Sequence, residues 1–319
     1  MPAILGVMRE ITMPIPTRAV TARTVREQGI TRGPVIVTGG GPLCAGEHQR
    51  AARELAVALG AQVVEAVPGR RLAPEILAAS VVLPSAPAGL LAPLASLCAW
   101  LQLPYAGCSP RAATLASDPG LVAPVLADAG FATAAGVAVD ATSARGLDFV
   151  DPVRLRPVGG GPSLGWSIAS SPKDLRDGLA LALAFGVHAW VEELLDGRAL
   201  QVAALRTRGG EVALGSIHEI APDSLFAADR PMETAAHHVI ADLDPRSDAL
   251  VRRSISGAYR ALGLRGPASF EVVLDGPRLT IGAVDAAPAL TRDGLLTAQF
   301  AATGWSYADL ATELLATAY

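Results

Sequence analysis

The segment whose reading decides the fold runs Val153-Arg-Leu-Arg-Pro157, then Gly159-Gly160-Gly161-Pro162-Ser163-Leu164-Gly165, then Ser171-Pro-Lys-Asp174. The first piece reads as a strand. The glycines that follow interrupt regular structure. By itself that loop reads as a flexible turn. Ser171 then supplies a capping hydroxyl, Pro172 suits the first helical turn, and Asp174 stands where a capping-box acid belongs. Leu175, Leu179, Ala182 and Leu183 recur at helical spacing and mark the buried face.

Working outward, Pro34-Val-Ile-Val-Thr38 is a short apolar run ending in Gly39-Gly40-Gly41. A helix is predicted over Glu47–Leu59, with Ala51, Leu55, Ala58 and Leu59 on one face. Strands are predicted at Gln62–Ala66 and Ser80–Leu83. This β-α-β rhythm implies a small parallel sheet with helices on its faces. Residues 1–33 read as an irregular extension with one short helix around Thr21–Gln28. The spacing predicts a helix from Asp118 to Gly130. Downstream, strands are expected at His188–Leu194, Leu200–Thr207 and Val212–Ile220, and a helix over Ala249–Leu262. Ser269–Asp275 and Arg278–Asp285 flank Gly276-Pro277 as a hairpin. A last helix starts at Ser306, again with an acid, Asp309, three residues on.

At 319 residues the chain exceeds what one core usually serves. Apolar residues make up 51% and the net charge is only −4, a folded composition without a nucleic-acid footprint. The most apolar neighbourhood, around Leu90-Leu91, is interrupted by Pro84, Pro87, Gly89 and Pro93, so no membrane span is expected. Cys44, Cys98 and Cys108 form no CxxC pair, and their odd number fits reduced thiols in a cytoplasm. Arg9 and Glu10 close to the start do not follow the order of a secretion signal. A cytoplasmic protein without membrane or nucleic-acid partners is the expectation. Of the 26 basic residues, Lys173 is the only lysine.

Several segments, in order, resemble the D-alanine–D-alanine ligase family of the ATP-grasp superfamily. They are Leu103-Pro-Tyr-Ala-Gly-Cys108, Asp118 with Ala129-Gly130, Val153–Pro157 with its glycine loop, and Trp190-Val-Glu-Glu-Leu-Leu-Asp-Gly-Arg198. Leu262-Gly-Leu-Arg-Gly266 through Asp275, Pro288-Ala-Leu-Thr291 and Trp305-Ser-Tyr-Ala-Asp-Leu310 complete the set. The resemblance implies an α/β (α+β) ATP-grasp fold, with an N-terminal α/β domain and two ATP-grasp subdomains around a cleft. The implied boundaries are an extension over 1–33, the N-terminal domain over 34–107, and the subdomains over 108–195 and 196–319. It also implies ATP and magnesium as cofactors, an amino-acid-like substrate and a homodimer.

Carried over position by position, the resemblance gives Arg156 the place of a phosphate-contacting lysine, with a catalytic and nucleotide-binding role. Arg keeps that charge in a different geometry. Ser163 and Gly165 match the phosphate loop. Glu192, Glu193, Leu194 and Leu195 match the adenine hinge, and Glu271 and Asp285 match two of three magnesium ligands. The departures are as informative. Pro119 stands where the other lysine belongs, Ala199 where the ribose acid belongs, Ala283 where the bridging acid belongs, and Ser269 where an arginine belongs. Pro162 removes a loop N–H. Alternation places Glu271, Ala283 and Asp285 on one sheet face. The two acids are expected side by side and, in a pseudo-ligase, partly neutralised by a nearby arginine such as Arg156 or Arg278. His237-His238 reads as an exposed loop pair, without metal spacing.

Two functions of different class follow. One is a pseudo-ligase, a repurposed scaffold binding a small amino-acid-like molecule or a nucleotide. The other is an active ATP-dependent carboxylate–amine ligase that uses Arg156, Glu271 and Asp285 in altered roles. The losses fall on independent parts of one electrostatic mechanism, which favours the first.

Overall fold

The computed structural model describes residues 33–39, 46–66, 74–159, 165–220 and 238–318. The helix expected near Thr21–Gln28, the loop residues Gly160 to Leu164 with Ser163, Cys44 and His237 lie outside them. Strand β1 (Pro34–Gly39) leads to helix α1 (Gly46–Leu59), β2 (Gln62–Ala66), α2 (Pro74–Ala78), β3 (Val81–Ser85) and α3 (Ala88–Trp100). The three strands form a parallel sheet in the order β2-β1-β3. Both faces of β1 are covered, as parallel strands require. Val35 and Val37 enter one core, and Ile36 enters another with Leu55, Leu83 and the C-terminal residues Phe300, Leu310 and Leu314.

Helix α3 is an addition to the sequence reading, which took the prolines around Leu90 as breaks. Pro93 sits inside it. A helical proline costs about 3 kcal/mol. Burial of Leu91, Leu94, Ala95 and Cys98 outweighs this, at roughly 1.5–3 kcal/mol for each large side chain.

Next come α4 (Pro110–Ala116), α5 (Pro119–Asp128), β4 (Ala132–Thr133), β5 (Gly136–Val139), β6 (Val153–Pro157), β7 (Ser167–Ala169), α6 (Pro172–Phe185) and β8 (Ala189–Glu193). Strands β5-β8-β6-β7 make an antiparallel sheet, and α6 packs on it through Leu175, Leu179 and Ala182. Ser171 caps α6 as expected, its hydroxyl accepting from the Asp174 N–H. Asp118 turns out to cap α5 rather than begin it, accepting from Gly120 N–H at 2.8 Å.

The chain continues through β9 (Arg198–Arg206), β10 (Val212–Leu214), β11 (His218–Ile220), β12 (His238–Ile240), α7 (Pro245–Ala261), β13 (Ala268–Asp275), β14 (Arg278–Asp285), α8 (Leu295–Ala301) and α9 (Tyr307–Ala316). The larger sheet runs β12-β11-β9-β13-β14-β4, with β10 also on β9. The single strand expected over Val212–Ile220 is two. The pairing with β9 slips by one residue between Leu214↔Ala204 and His218↔Gln201. At the slip the Ser216 N–H turns to the Gln299 carbonyl, and a Cβ at Gly215 would meet Gln299 Cβ at 2.7 Å. Helix α7 starts earlier than the spacing suggested, because Asp244 caps it and Pro245 fits its first turn. His238 is a buried strand residue beside Ile220, not an exposed loop residue. Among the described residues no helix is long and apolar enough to cross a membrane. Cys98 and Cys108 are free and buried, as packing residues should be.

One buried titratable group lies under the first sheet. His48 on α1 is 7% exposed, and Ser85 Oγ donates to its carbonyl at 2.8 Å. Burial pulls its imidazole from the ordinary 6.5 down to about 4. The unfolded chain therefore binds the extra proton first as pH falls, and stability drops through that window. In urea unfolding, the parent should lose roughly 1–2 kcal/mol more between pH 7 and pH 5 than His48→Leu does. Equal losses would remove His48 from the acid response.

Candidate functional site

Alternation builds the site from two sheets that face each other. On β6 and β8, Leu155, Ala189 and Val191 pack under α6. The residues between them, Arg154, Arg156, Trp190 and Glu192, therefore project from the other face. On β13, Phe270, Val272 and Leu274 enter the main core, so Ser269 and Glu271 project away from it. On β14, Ala283 and Asp285 share that face. A bulge between Glu271 and Val272 leaves Gly282 unpaired. Between the sheets is a cleft with about 860 Å³ of empty space, part of it open to solvent. Its lining includes Arg156, Trp166, Gln201, Ser269, Glu271 and Asp285, with the apolar Leu295 and Leu296.

A charge network crosses this cleft. Arg154 Nε donates to Glu192 Oε1 at 2.7 Å, and Arg154 Nη1 makes a short contact with Glu271 Oε1. Trp190 Nε1 donates to the other Glu192 oxygen at 2.8 Å. Side-chain exposure is 13% for Arg154, 1% for Glu192 and 6% for Glu271. In such surroundings an ion pair is screened little by water. Burial opposes the Arg154 charge, but the attraction of Glu271 and Glu192 outweighs it and the guanidinium is held above its ordinary value. Both arginines lie over the Trp166 ring, at 5.1 and 5.3 Å from its centre. Gly282 lies beneath the pair, and a Cβ there would stand 3.1 Å from Arg154 Nη2.

Arg156 lines the cleft as expected, but its bonds turn back into the protein. Its Nε is 3.4 Å from Glu192 Oε1, and Nη2 donates weakly to the Gly282 carbonyl at 3.4 Å. Burial draws it below its ordinary value, more than Glu192 restores. Of the hinge residues, Glu192 is buried in the network. Glu193 binds Ala135, accepting from its N–H at 2.8 Å. Leu194 is exposed and Leu195 half-exposed at the strand end. Gly165 has φ +80, with Pro157 and Phe185 side-chain atoms 3.1 Å from any added Cβ. Gly159 N–H docks on the Ser117 carbonyl at 3.1 Å. Glu193 and the described glycines Gly159 and Gly165 thus lie toward opposite ends of the β6–β8 pair, since Val153 pairs with Glu193 and Pro157 with Ala189.

Glu271 and Asp285 share a face, yet they are offset by one step rather than side by side. Glu271 faces Ala283, and Asp285 faces Ser269. Such diagonal pairs lie about 7–8 Å apart. Of the arginines expected to neutralise these acids, Arg156 feels the charge of Glu271 but the direct pair is made by Arg154, whereas Arg278 is exposed at the far end of β14 beside Asp275. Asp285 accepts one bond, from Ala287 N–H at 2.8 Å, and desolvation pushes its carboxyl up to about 6. As a magnesium–triphosphate site these donors are depleted. Magnesium takes six oxygens, one or two of them from carboxylates and the rest from water and phosphate. Here one acid is already ion-paired, the bridging position is alanine, and Pro119 opens α5 where a lysine would stand. Among the described residues no group of three or more His, Cys, Asp or Glu could hold a metal ion. Lys173 is a surface charge, 75% exposed and paired with Asp177.

Arg154, Trp166, Trp190 and Gln201 were missed in the sequence. The signal for two of them was there. Arg154 and Arg156 alternate along one short strand, Trp190 and Glu192 along its neighbour, and both patterns oppose charge to charge. Trp166 and Gln201 carry no such pattern.

Comparison with known proteins fits this architecture. Residues 139–316 match the family model for the D-ala D-ala ligase C-terminus. A D-alanine–D-alanine ligase of Chlorobium chlorochromatii (strain CaD3) is 31% identical over 67% of this chain and 63% of its own length. One from Gluconobacter oxydans (strain 621H) is 31% identical over 66% of this chain and 71% of its own. The match thus spans less than two thirds of the Chlorobium relative. The Bacillus anthracis D-alanine–D-alanine ligase complexed with ATP superposes with a TM-score of 0.72 over 90% of this chain and 96% of its own, at 14% identity. The VanG D-Ala:D-Ser ligase of Enterococcus faecalis gives 0.70 over 90% and 99%, also at 14%. The chain has the ATP-grasp architecture, and it belongs to the D-alanine–D-alanine ligase family.

Proposed function

We propose that this chain is a pseudo-ligase, a family member that binds a small molecule in the cleft without magnesium-dependent phosphoryl transfer. The observation that carries the reading is the Arg154 bridge. Glu271 is one of two acids left on the metal face, and it is already paired across the cleft. Breaking a buried pair of this kind costs about 3–5 kcal/mol. A magnesium ion competing for Glu271 would therefore lose roughly a hundredfold to several thousandfold in affinity. Phosphoryl transfer depends on fixed cations and metal at the phosphates. The substitutions at positions 119, 199, 269 and 283 weaken the same machinery. In this reading the units are residues 34–107, 108–195 and 196–319, and the chain works in the cytoplasm as a homodimer, the last inferred from the family resemblance.

Family membership itself favours the competing reading, an active ATP-dependent carboxylate–amine ligase. Titration calorimetry with ATP, with and without Mg²⁺, separates the two. Mg²⁺ should not tighten nucleotide binding, and D-alanine should not stimulate ADP release above background. Magnesium-dependent ADP release with D-alanine or another amino acid would overturn the pseudo-ligase reading. The bridge has its own test. Arg154→Leu strands Glu192 and Glu271, so urea unfolding should show a loss of about 3 kcal/mol or more. A loss under about 1 kcal/mol, the scale of a surface pair, would show that the bridge carries no weight.

A further inference from the structure

We propose that the floor of the cleft, where Asp285, Ser269 and Gln201 converge, binds the ammonium group of a small primary amine. This deepens the pseudo-ligase reading and rests on it. Asp285 and Ser269 are directly opposed on β14 and β13. Gln201, opposite Glu271 on β9, reaches Ser269, its Nε2 donating to Ser269 Oγ at 2.6 Å, and lines the same cleft as Asp285. Its Oε1 is left buried without a donor. Asp285 receives one backbone N–H and, among the described residues, no cation. Ser269 Oγ keeps acceptor capacity beyond the Gln201 bond.

Charge accounting gives the sign of the ligand. Arg154 and Arg156 balance Glu192 and Glu271 within one network. Among the described residues of the cleft, Asp285 is the acid left over. A half-buried carboxylate with one hydrogen bond favours a bound cation. The geometry of the acceptors selects its kind. A carboxylate, an amide oxygen and a hydroxyl match the three donors of an ammonium group. Magnesium would find too few anionic oxygens, and a guanidinium would present a planar fork to acceptors spread over three strands. Beside this floor the walls are Ala88, Pro288, Ala289, Leu295 and Leu296. They fit a short aliphatic body better than a sugar or a phosphate.

The test titrates the full chain in metal-free, nucleotide-free buffer with butan-1-amine, and with butan-1-ol as the isosteric uncharged control. Tryptophan fluorescence and thermal shift give the readouts. Saturable amine binding is expected, at least tenfold tighter than the alcohol. Asp285→Asn and Gln201→Leu should each weaken it tenfold or more, while the surface variant Asp177→Asn should not. Circular dichroism and urea midpoints confirm that each variant folds, and Ser269→Ala serves as a further probe with the same expectation. Equal affinity for amine and alcohol, no saturation by about 10 mM, or undiminished binding in Asp285→Asn and Gln201→Leu would overturn the proposal. ADP release is assayed separately. Absent amine binding with absent ADP release sinks this site alone. Amine binding together with magnesium-dependent ADP release sinks the pseudo-ligase reading alone.

Discussion

Arg154 stands on β6 and holds a carboxylate on each side of the cleft, Glu192 on its own sheet and Glu271 on the sheet opposite. Everything around it accommodates that bridge. Trp190 satisfies the second oxygen of Glu192, Trp166 lies against the guanidinium, and the bulge at Gly282 leaves room beneath it. A guanidinium has five donors in a fixed fork, which suits it to hold two acids at once. The same bridge ties the antiparallel sheet to the larger one. A cleft that opens and closes around a nucleotide needs those sheets free to move, whereas this one is cross-linked by charge.

The bridge also separates two regions of the cleft. Toward β6 and β8, positive and negative groups are matched in one network. Toward β14, Asp285 is unmatched, with Gln201 offering an unused oxygen nearby. An ATP-dependent ligase needs excess positive charge at the phosphates, whereas Arg154 and Arg156 are already balanced by Glu192 and Glu271. Under the proposed pseudo-ligase reading, the fold is kept while its electrostatics are redistributed, as one architecture can host different chemistry.

Much of the scaffold was readable from local chemistry. The capping residues Ser171, Ser306 and their acids located two helices, and β6, β2 and the β13–β14 hairpin follow from apolar patterning and turn residues. Helix α3 was not, because proline was weighed as a local signal and the burial that overrides it is tertiary. The break at Gly215 was hidden for the same reason, since the partner that captures the Ser216 N–H, Gln299, is far away in sequence. Within the site, alternation placed Glu271, Ala283 and Asp285 on one face. It could not give the register, which decides that Asp285 faces Ser269 and that Glu271 faces Ala283. Nor could it choose among arginines. Arg156 was favoured through the resemblance, but the residue two places earlier is the one that crosses the cleft.

A double-mutant cycle between Arg154 and Glu271 measures the central interaction most directly. The stabilities of the parent, Arg154→Leu, Glu271→Gln and the double variant, from urea unfolding, give the coupling free of each residue's other contacts. The expected coupling is about 2 kcal/mol, with the double variant recovering part of what each single variant loses. Additive effects, within about 0.3–0.5 kcal/mol, would mean that Glu271 is free to serve a metal and that the cleft is not bridged.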